Sequence, residues 1–249
     1  MTALISLEFD DCFEETVLSA LDILKKYKIK ATFAVPVEKM GKEIDKIKVA
    51  DEKLIRRMVR EGHEIAGHAM SHNPLAKKNV LSWTNIKNFF SLKKISYLRK
   101  GFKKSYSILA RNPYEEIKKS KEVLSNFSQV VSFTYPGGAY NESIKKFVSK
   151  GYKSARTTDR GLNSPETDKF ELKTMLWDKN TTVKEANNWV DKAISKNRWL
   201  IETFHLLSEK NRDYEYSSSI KKLIEHLKYL SKKSLEKKIL IKTRGEILR

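Results

Sequence analysis

Apolar residues recur along this chain with two different spacings, and the alternation of these spacings predicts a β/α protein. Short apolar, β-prone runs are separated by segments in which apolar side chains return every three or four residues, as on one face of a helix. The runs predict strands at 3–9, 31–37, 62–67, 130–135, 153–158, 171–177, 198–204 and 239–243. The segments predict helices at 14–28, 51–61, 113–126, 142–150, 183–196 and 219–232. Without an internal repeat, this order predicts a parallel barrel or a doubly wound sheet.

Polar residues stand directly after four of the predicted strands. In a (β/α) barrel the carboxyl ends of the strands meet at one rim, and that rim carries the active site. Acidic groups, imidazoles and backbone N–H donors are therefore expected to converge there. The residues at these positions are Asp10 and Asp11, His68, Pro136 with Gly137, and His205.

The residues near two of these strand ends match the donor set of a metal site. Two adjacent carboxylates, Asp10 and Asp11, need partners if they are buried. His68 and His72 are four residues apart, a spacing that predicts both imidazoles on one face of a helical turn. One carboxylate with two histidines leaves a coordination position open for water, and the other carboxylate is then free to act as a base. Taken singly, the acidic pair also fits a solvated turn, and the histidine pair a structural role.

Length, charge and cysteine content narrow the class of protein. The 249 residues suffice for one α/β domain with a large core. The net charge of +19 favours anionic partners such as phosphate groups, acidic glycans, membrane surfaces or nucleic acid, unless it is only a solvated lysine-rich surface. The single cysteine excludes an internal disulfide. No apolar run approaches a membrane span, and the first strand leaves no room for a signal peptide, so we expect a cytoplasmic protein.

Two other histidines are not expected at the site. His63 lies in the predicted strand 62–67, and we expect it to be packed and hydrogen bonded. His226 lies in the middle of a predicted helix among lysines, and we expect it to be exposed to solvent.

Five short motifs in a fixed order carry the most specific signal in the chain. They are Phe9-Asp10-Asp11, Gly62-His63-Glu64-Ile65, His68-x-x-Ser71-His72, Phe133-Thr134-Tyr135-Pro136-Gly137-Gly138 and Phe204-His205-Leu206. With these motifs the chain resembles the polysaccharide deacetylases, the NodB-homology superfamily of carbohydrate esterase family 4, over nearly its whole length. The resemblance implies a single domain over residues 1–249 with the α/β fold of a distorted (β/α)7-type barrel. It also implies metal-dependent hydrolysis of N-acetyl or related acyl groups on carbohydrate.

The same resemblance implies roles for individual residues. The ligands of one divalent metal ion, zinc first and Co²⁺, Ni²⁺, Mn²⁺ or Fe²⁺ as alternatives, would be Asp11, His68 and His72. Asp10 would be the general base, and His205 would be the acid that protonates the leaving amine. The oxyanion and the substrate would be bound by a backbone N–H and by the turn that contains Gly137, Tyr135 and Pro136.

Three positions depart from the pattern of the family. Glycine usually follows the second carboxylate, and this chain has Cys12, which we expect to be a packing residue. An arginine that pairs with the base usually stands two residues before the proline, where this chain has Thr134; Arg156 or Arg160 could replace it. The Asp-Trp pair that usually tunes the acid is not recognisable, and Asp159 could supply its charge.

A basic insertion at about 75–112 follows the histidine pair. No acidic residue occurs between Ile65 and Tyr114, and ten lysines and arginines fall between Lys77 and Arg111. The aromatic residues interleaved with them are Trp83, Phe89, Phe90, Tyr97, Phe102 and Tyr106. A basic helix with an aromatic face fits an anionic membrane surface, and it fits equally a helical hairpin packed on the barrel. Nucleic acid is disfavoured, because no binding motif accompanies the basic residues.

These observations predict a cytoplasmic, metal-dependent hydrolase that deacetylates an amino sugar or glycan. A short nucleotide-linked or lipid-linked glycan fits better than a secreted polymer, with the enzyme peripheral at the inner face of the membrane in the lipid-linked case. The alternative enzyme is a C–N hydrolase that acts on a small non-sugar amide or imide. The alternative without activity is a degenerate barrel that binds a glycan or a membrane.

Overall fold

The computed structural model describes residues 2–77, 109–210 and 213–248. Its strands are β1 (Ala3–Phe9), β2 (Thr32–Val35), β3 (Glu43–Ile44), β4 (Ile47–Lys48), β5 (Glu64–Gly67), β6 (Ser132–Thr134), β7 (Ser154–Arg160), β8 (Leu172–Leu176), β9 (Trp199–Phe204), β10 (Leu206–Leu207), β11 (Ser217–Ser218) and β12 (Ile239–Ile241). Its α-helices are α1 (Glu14–Tyr27), α2 (Glu52–Arg60), α3 (Pro113–Leu124), α4 (Glu142–Gly151), α5 (Val183–Lys196), α6 (Ile220–Leu235) and α7 (Arg244–Ile247). Short 3₁₀ helices follow β2 and β6, at Val37–Lys39 and Pro136–Gly138.

Seven of the described strands form a closed parallel barrel. Their order is β1-β2-β5-β6-β7-β8-β9, and β9 pairs with β1 to complete the ring. At the end of β1, Phe9 is in register with Phe33 on one side and with Phe204 on the other. Strand β12 pairs in parallel with the first half of β1. The structure therefore confirms the predicted (β/α)7-type barrel surrounded by helices.

The starts of several helices follow capping signals in the sequence. The side chain of Asp51 accepts a hydrogen bond from the N–H of Leu54 and so caps α2. Asn141 caps α4 in the same way, through the N–H of Ile144. These caps satisfy backbone donors that the first turn of a helix leaves without partners, and they fix where the βα loops end.

Alternate residues of β1 face two different environments. Leu7 and Phe9 are fully buried in the hydrophobic core, whereas Glu8 and Asp10 both bind Arg156 of β7. Because successive side chains of a strand point to opposite faces, the polar set lies inside the barrel and the apolar set packs against the surrounding helices. The interior of this barrel therefore contains buried charges.

Helix α7 closes the barrel at the amino ends of its strands. The N–H of Gly245 donates to Oε2 of Glu64, the first residue of β5, at 2.8 Å. Ile247 and Leu248 pack against a buried cluster formed by Leu172, Trp199 and Ile201. The sequence pattern did not predict this helix, because its four residues are too few to show a helical period.

His226 is buried, so the expectation of an exposed side chain was wrong. It lies on the buried face of α6 with Leu223, Leu227 and Leu230. Its Nε2 lies 2.8 Å from Oε2 of Glu202 on β9, and its Nδ1 lies 2.8 Å from Oδ1 of Asn187 on α5. Lys228, two residues further along α6, is exposed, because residues two apart on a helix do not share a face.

The predicted basic insertion lies almost entirely outside the described residues. Its helical stripe and its contacts with the barrel or with a membrane therefore remain predictions from the sequence. Among the described helices, none is both long enough and apolar enough to cross a membrane.

Candidate active site

The two adjacent carboxylates lie in a tight turn at the carboxyl end of β1. Asp11 and Cys12 have φ angles of 63° and 50°, in the left-handed region that non-glycine residues rarely adopt. Cys12 is fully buried and its thiol donates to the carbonyl oxygen of Ala34 at 3.3 Å. The turn keeps both Asp10 and Asp11 almost completely buried, so it holds two carboxylates where only cationic partners can stabilise them.

Asp11 lies against both predicted histidine ligands. Its Oδ1 is 2.8 Å from Nε2 of His72 and 3.4 Å from Nε2 of His68. The three ligand atoms of these residues all lie within 4.8 Å of one another. The structure thus brings together a carboxylate and two imidazoles that the sequence separates by nearly sixty positions.

The hydrogen bonds around this group fit a bound cation. Nδ1 of His68 lies 2.9 Å from the carbonyl oxygen of Thr134 and donates to it, because a carbonyl can only accept. In the neutral ring, Nε2 then carries a lone pair toward Asp11. The Oδ1 atom of Asp11 is buried and faces this nitrogen as well as Nε2 of His72. A buried carboxylate that faces two imidazoles needs a positive charge, which a proton on His72 or a bound cation supplies, and carboxylate and imidazole are ligands that Zn²⁺ prefers.

The histidine pair does not lie on a helical turn, which corrects the prediction from its spacing. Residues 68–72 form a loop in which Ala69 and His72 have φ angles of 60° and 69°. The carboxylate of Glu116 on α3 supports this loop by accepting the N–H groups of Met70 and Ser71, at 2.9 and 2.8 Å. The two rings converge on Asp11 because of the loop conformation, with centroids 4.9 Å apart.

Asp11 and His72 shift each other's pKa values, because their charges are opposite. Burial raises the pKa of Asp11, but the neighbouring His72 and His68 outweigh it and hold the pKa well below the usual range. Burial lowers the pKa of His72, and the Asp11 carboxylate outweighs this effect and raises it. Asp11 is therefore ionised across the neutral range, as a metal ligand must be.

Asp10 is held by Arg156. Nη2 of Arg156 lies 2.6 Å from both carboxylate oxygens of Asp10, and its Nε donates to Oε2 of Glu8 at 2.8 Å. Burial raises the pKa of Asp10, but Arg156, together with His205 and His68, outweighs burial and the net pKa is lowered. Of the two arginines predicted from the sequence to pair with Asp10, it is thus Arg156 that does so.

His205 stands on the other side of Asp10. Its Nε2 lies 3.8 Å from Oδ2 of Asp10, and its ring packs on Tyr216 at a centroid distance of 5.2 Å. Nδ1 of His205 is buried and has no hydrogen-bond partner among the described residues. Burial lowers the pKa of His205, and the nearby Asp11 and Asp10 offset this only in part.

The turn after β6 is closely packed and needs glycine at two positions. Gly137 and Gly138 adopt φ angles of 60° and 67°, and a Cβ on Gly138 would come within 2.8 Å of the backbone nitrogen of Thr158. Pro136 is buried in the same turn. The ring of Tyr135 stacks on Tyr140 at 4.6 Å. The backbone N–H of Tyr135 donates to the carbonyl oxygen of Arg156, whereas its buried hydroxyl has no hydrogen-bond partner among the described residues.

The remaining two candidates lie away from the metal group. Asp159 is exposed, and its N–H donates to the hydroxyl of Thr157. Arg160 is paired with Glu185 and lies over the ring of Trp189, 5.2 Å from its centroid. Of the residues proposed to support the base, the structure brings only Arg156 to Asp10.

Three neighbours of the site were missed from the sequence. Glu8 is fully buried beneath Asp10, and Arg244 of α7 lies 3.1 Å from it. The hydroxyl of Tyr214 lies 3.5 Å from Oδ2 of Asp11. Glu8 interrupts an otherwise apolar run two residues before Asp10, and that interruption was the available signal. A capping box at Thr243 and Glu246 was a local signal for the helix of Arg244, but nothing local placed Arg244 or Tyr214 at the site, because only the fold brings them close.

The sequence is similar to those of known polysaccharide deacetylases. A family model described as polysaccharide deacetylase matches residues 2–155. Over 87 residues the chain is 32% identical to a bifunctional xylanase/deacetylase of Pseudobutyrivibrio xylanivorans. This aligned region covers 32% of this chain and 13% of that protein. The chain is 24% identical over 169 residues to YxkH of Bacillus subtilis (strain 168), provisionally named a polysaccharide deacetylase, covering 67% and 48%. The chain therefore spans less than half the length of these curated relatives.

A solved structure extends the similarity to the whole barrel. The family 4 acetyl xylan esterase of Clostridium thermocellum, solved with a cobalt ion, covers 98% of this chain and 89% of its own. The sequence identity is 19% and the TM-score is 0.54. At this identity the match establishes the fold, and the chemistry of the site has to be argued from the residues present.

Proposed function

Because the chain belongs to the polysaccharide deacetylase family, we propose that it hydrolyses an N-acetyl or related acyl group on an amino sugar or glycan. The observation that carries this proposal is the arrangement of Asp11, His68 and His72 next to two groups suited to proton transfer. Asp10 and His205 lie on the same rim and 3.8 Å from each other. A metal-ligand set beside a base and an acid is what hydrolysis of an amide requires.

The metal is the first part of the proposal. Asp11, His68 and His72 would hold one divalent ion, for which zinc is the first choice. When bound, such an ion polarises the acyl carbonyl and makes a water molecule more acidic. The geometry supports this assignment, since one potential ligand atom from each of these three residues lies within 4.8 Å of the other two.

Asp10 is the proposed general base. The Arg156 guanidinium keeps the pKa of Asp10 low, so the carboxylate is ionised and can accept a proton from the attacking water. The contact of Arg156 Nη2 with both oxygens also fixes the direction of the carboxylate. A base held in this way loses little rotamer freedom during the reaction.

His205 is the proposed acid that protonates the leaving amine. In the ligand-free protein its pKa is lowered by burial, so a proton has to reach the ring during the reaction. Asp10 can supply this proton once it has taken one from water. With its Nε2 3.8 Å from Oδ2 of Asp10, a small shift of either side chain allows transfer. The backbone N–H of Gly137 is proposed to hold the oxyanion.

The substrate class is the least constrained part of the proposal. The names of the relatives point to acetyl groups on carbohydrate, and the +19 charge favours a substrate or surface with negative charge. We therefore favour an amino sugar linked to a nucleotide or to a lipid phosphate on the cytoplasmic side, with the basic segment 75–112 facing an anionic surface. Co-sedimentation with anionic and neutral vesicles tests this: binding to anionic vesicles that falls with added salt is expected.

Acetate release from N-acetylglucosamine oligosaccharides and from nucleotide-linked N-acetylglucosamine tests the activity. The zinc-loaded protein should release acetate, and Asp10→Asn should keep its metal while losing about 10²–10⁴-fold in rate. Asp159→Asn is the matched control, because the Asp159 side chain is exposed and no contact joins it to Asp10 or to the proposed metal ligands among the described residues. Small non-sugar amides and imides are assayed in parallel. Turnover of these alone would replace the proposal by a C–N hydrolase, and no turnover with any class would indicate a binding protein.

A further inference from the structure

Four buried charges alternate in sign along the inside of the barrel. From the rim downward they are Asp10, Arg156, Glu8 and Arg244. Arg156 bridges Glu8 of β1 and Asp10, which directly follows it, and Glu8 Oε1 lies 3.1 Å from Nε of Arg244. The chain of charges thus connects the proposed base to helix α7, which closes the opposite end of the barrel.

None of the inner charges has access to water. Glu8, Arg156 and Arg244 are all fully buried. A buried charge is strongly destabilised when one of its partners is removed. Glu8 is shared between two guanidiniums, so without Arg244 it would depend on Arg156 alone. It would then compete with Asp10 for the same cation.

A second set of contacts leads from Arg244 to the metal ligands. Its Nη1 donates to the carbonyl oxygen of Phe133 at 2.7 Å, and its Nη2 donates to the hydroxyl of Thr134 at 3.0 Å. The carbonyl oxygen of the same Thr134 accepts the Nδ1–H of His68. Arg244 therefore fixes the end of β6, and β6 fixes the ring orientation of a proposed ligand.

We propose that Arg244 is a positioning residue for the reaction, holding Asp10 through Glu8 and Arg156 and holding His68 through Thr134. This inference rests on the proposed function. It assigns to the short helix at the closed end of the barrel a part in the chemistry at the open end. Outer partners of metal ligands typically change metal affinity or activity by about 10–100-fold when they are removed.

The test compares three variants of the full chain. Arg244→Gln removes the charge, and Arg244→Lys keeps a charge near Glu8 but cannot donate to both Phe133 and Thr134. Ile247→Ala is the matched control, because it loosens the same helix by removing packing and touches none of the charges. For each protein, Co²⁺ affinity is measured by absorbance titration of the metal-free form, and kcat and KM are measured at saturating metal.

Arg244→Gln should lower kcat by about tenfold or more and weaken Co²⁺ binding by about tenfold. Arg244→Lys should weaken Co²⁺ binding similarly and lose little kcat, because Glu8 stays neutralised. Ile247→Ala should change neither by more than about twofold at a temperature where it is folded. The inference is overturned if both Arg244 variants keep wild-type Co²⁺ affinity and kcat, or if Ile247→Ala loses as much as Arg244→Gln.

The double variant Glu8→Gln/Arg244→Gln tests the path through Glu8. If Arg244 acts on Asp10 through Glu8, the double variant should lose no more kcat than the worse single variant. Losses that multiply would contradict that path. A wild-type protein that binds no Co²⁺ and releases no acetate would instead disprove the proposed function, which separates the two failures.

Discussion

Arg156 Nη2 lies 2.6 Å from both carboxylate oxygens of Asp10, although 146 residues separate the two in the chain. The contact joins the end of β1 to β7 across the inside of the barrel. The resemblance in sequence predicted an arginine for this contact on the preceding strand, where this chain has Thr134. The same base is thus held from a different strand, which is possible because parallel strands of a barrel direct side chains into one shared interior.

Loss of the Arg156 contact should abolish most of the activity. Arg156→Lys keeps a charge but cannot bind Asp10 and Glu8 together, so we expect kcat to fall about 10²-fold. Arg160→Lys is the matched control, since Arg160 forms an exposed ion pair that contributes little. Steady-state acetate release measures both. Equal activity of the two variants would show that Asp10 does not depend on Arg156.

Replacing His205 should affect poor leaving groups most. His205→Gln removes the acid, so amide hydrolysis should fall about 10²–10⁴-fold. Hydrolysis of 4-nitrophenyl acetate should fall far less, because nitrophenolate leaves without being protonated. The ratio of the two rates is the measurement. A loss of the same size on both substrates would assign His205 to binding or to the structure of the site.

Much of this arrangement could be predicted from the sequence, and the parts that could not have physical reasons. The strands and the positions of Asp10, His68 and His205 follow from local patterns, because strand ends of a barrel converge on one rim. For the arginine that pairs with Asp10, the sequence left two candidates, Arg156 and Arg160. These residues lie on the same strand, and only the pairing of β7 with its neighbours decides between them. The role of Arg244 could not be predicted, since a four-residue helix shows no helical period and the contacts of Arg244 are with residues distant in sequence.

His63 should make the fold sensitive to acid. Burial lowers its pKa to about 4, and its Nδ1 accepts the N–H of Ala31, which requires the neutral ring. The unfolded chain, with a pKa near 6.5, binds a proton first as pH falls. The stabilisation by His63 is therefore complete above about pH 6.5 and is lost as pH falls toward 4.

Chemical denaturation at pH 7 and pH 4.5 measures this contribution. Between these values, wild type should lose about 2 kcal/mol more of its unfolding free energy than His63→Gln, whose amide can still accept from Ala31. Equal losses in both proteins would show that another group is responsible for the acid sensitivity.

His226 should contribute to the stability of the fold, although it belongs to none of the site motifs. His226→Leu leaves Glu202 buried without its imidazole partner, so we expect a loss of about 3 kcal/mol of unfolding free energy. Leu235→Ala on the same helix is the control, since Leu235 is 86% exposed, and it should change stability by less than about 0.5 kcal/mol. Urea denaturation measures both. An unchanged unfolding free energy for His226→Leu would mean that other groups stabilise the Glu202 carboxylate.

The most direct test of the whole account is acetate release before and after removal of metal. We expect the chelated wild-type protein to lose its activity on N-acetylglucosamine substrates and to recover it with one equivalent of Zn²⁺ or Co²⁺. A variant with both His68→Ala and His72→Ala should show no recovery. Full activity of the metal-free wild type, or recovery of the double variant to the wild-type rate, would contradict the assignment of Asp11, His68 and His72 as the metal site.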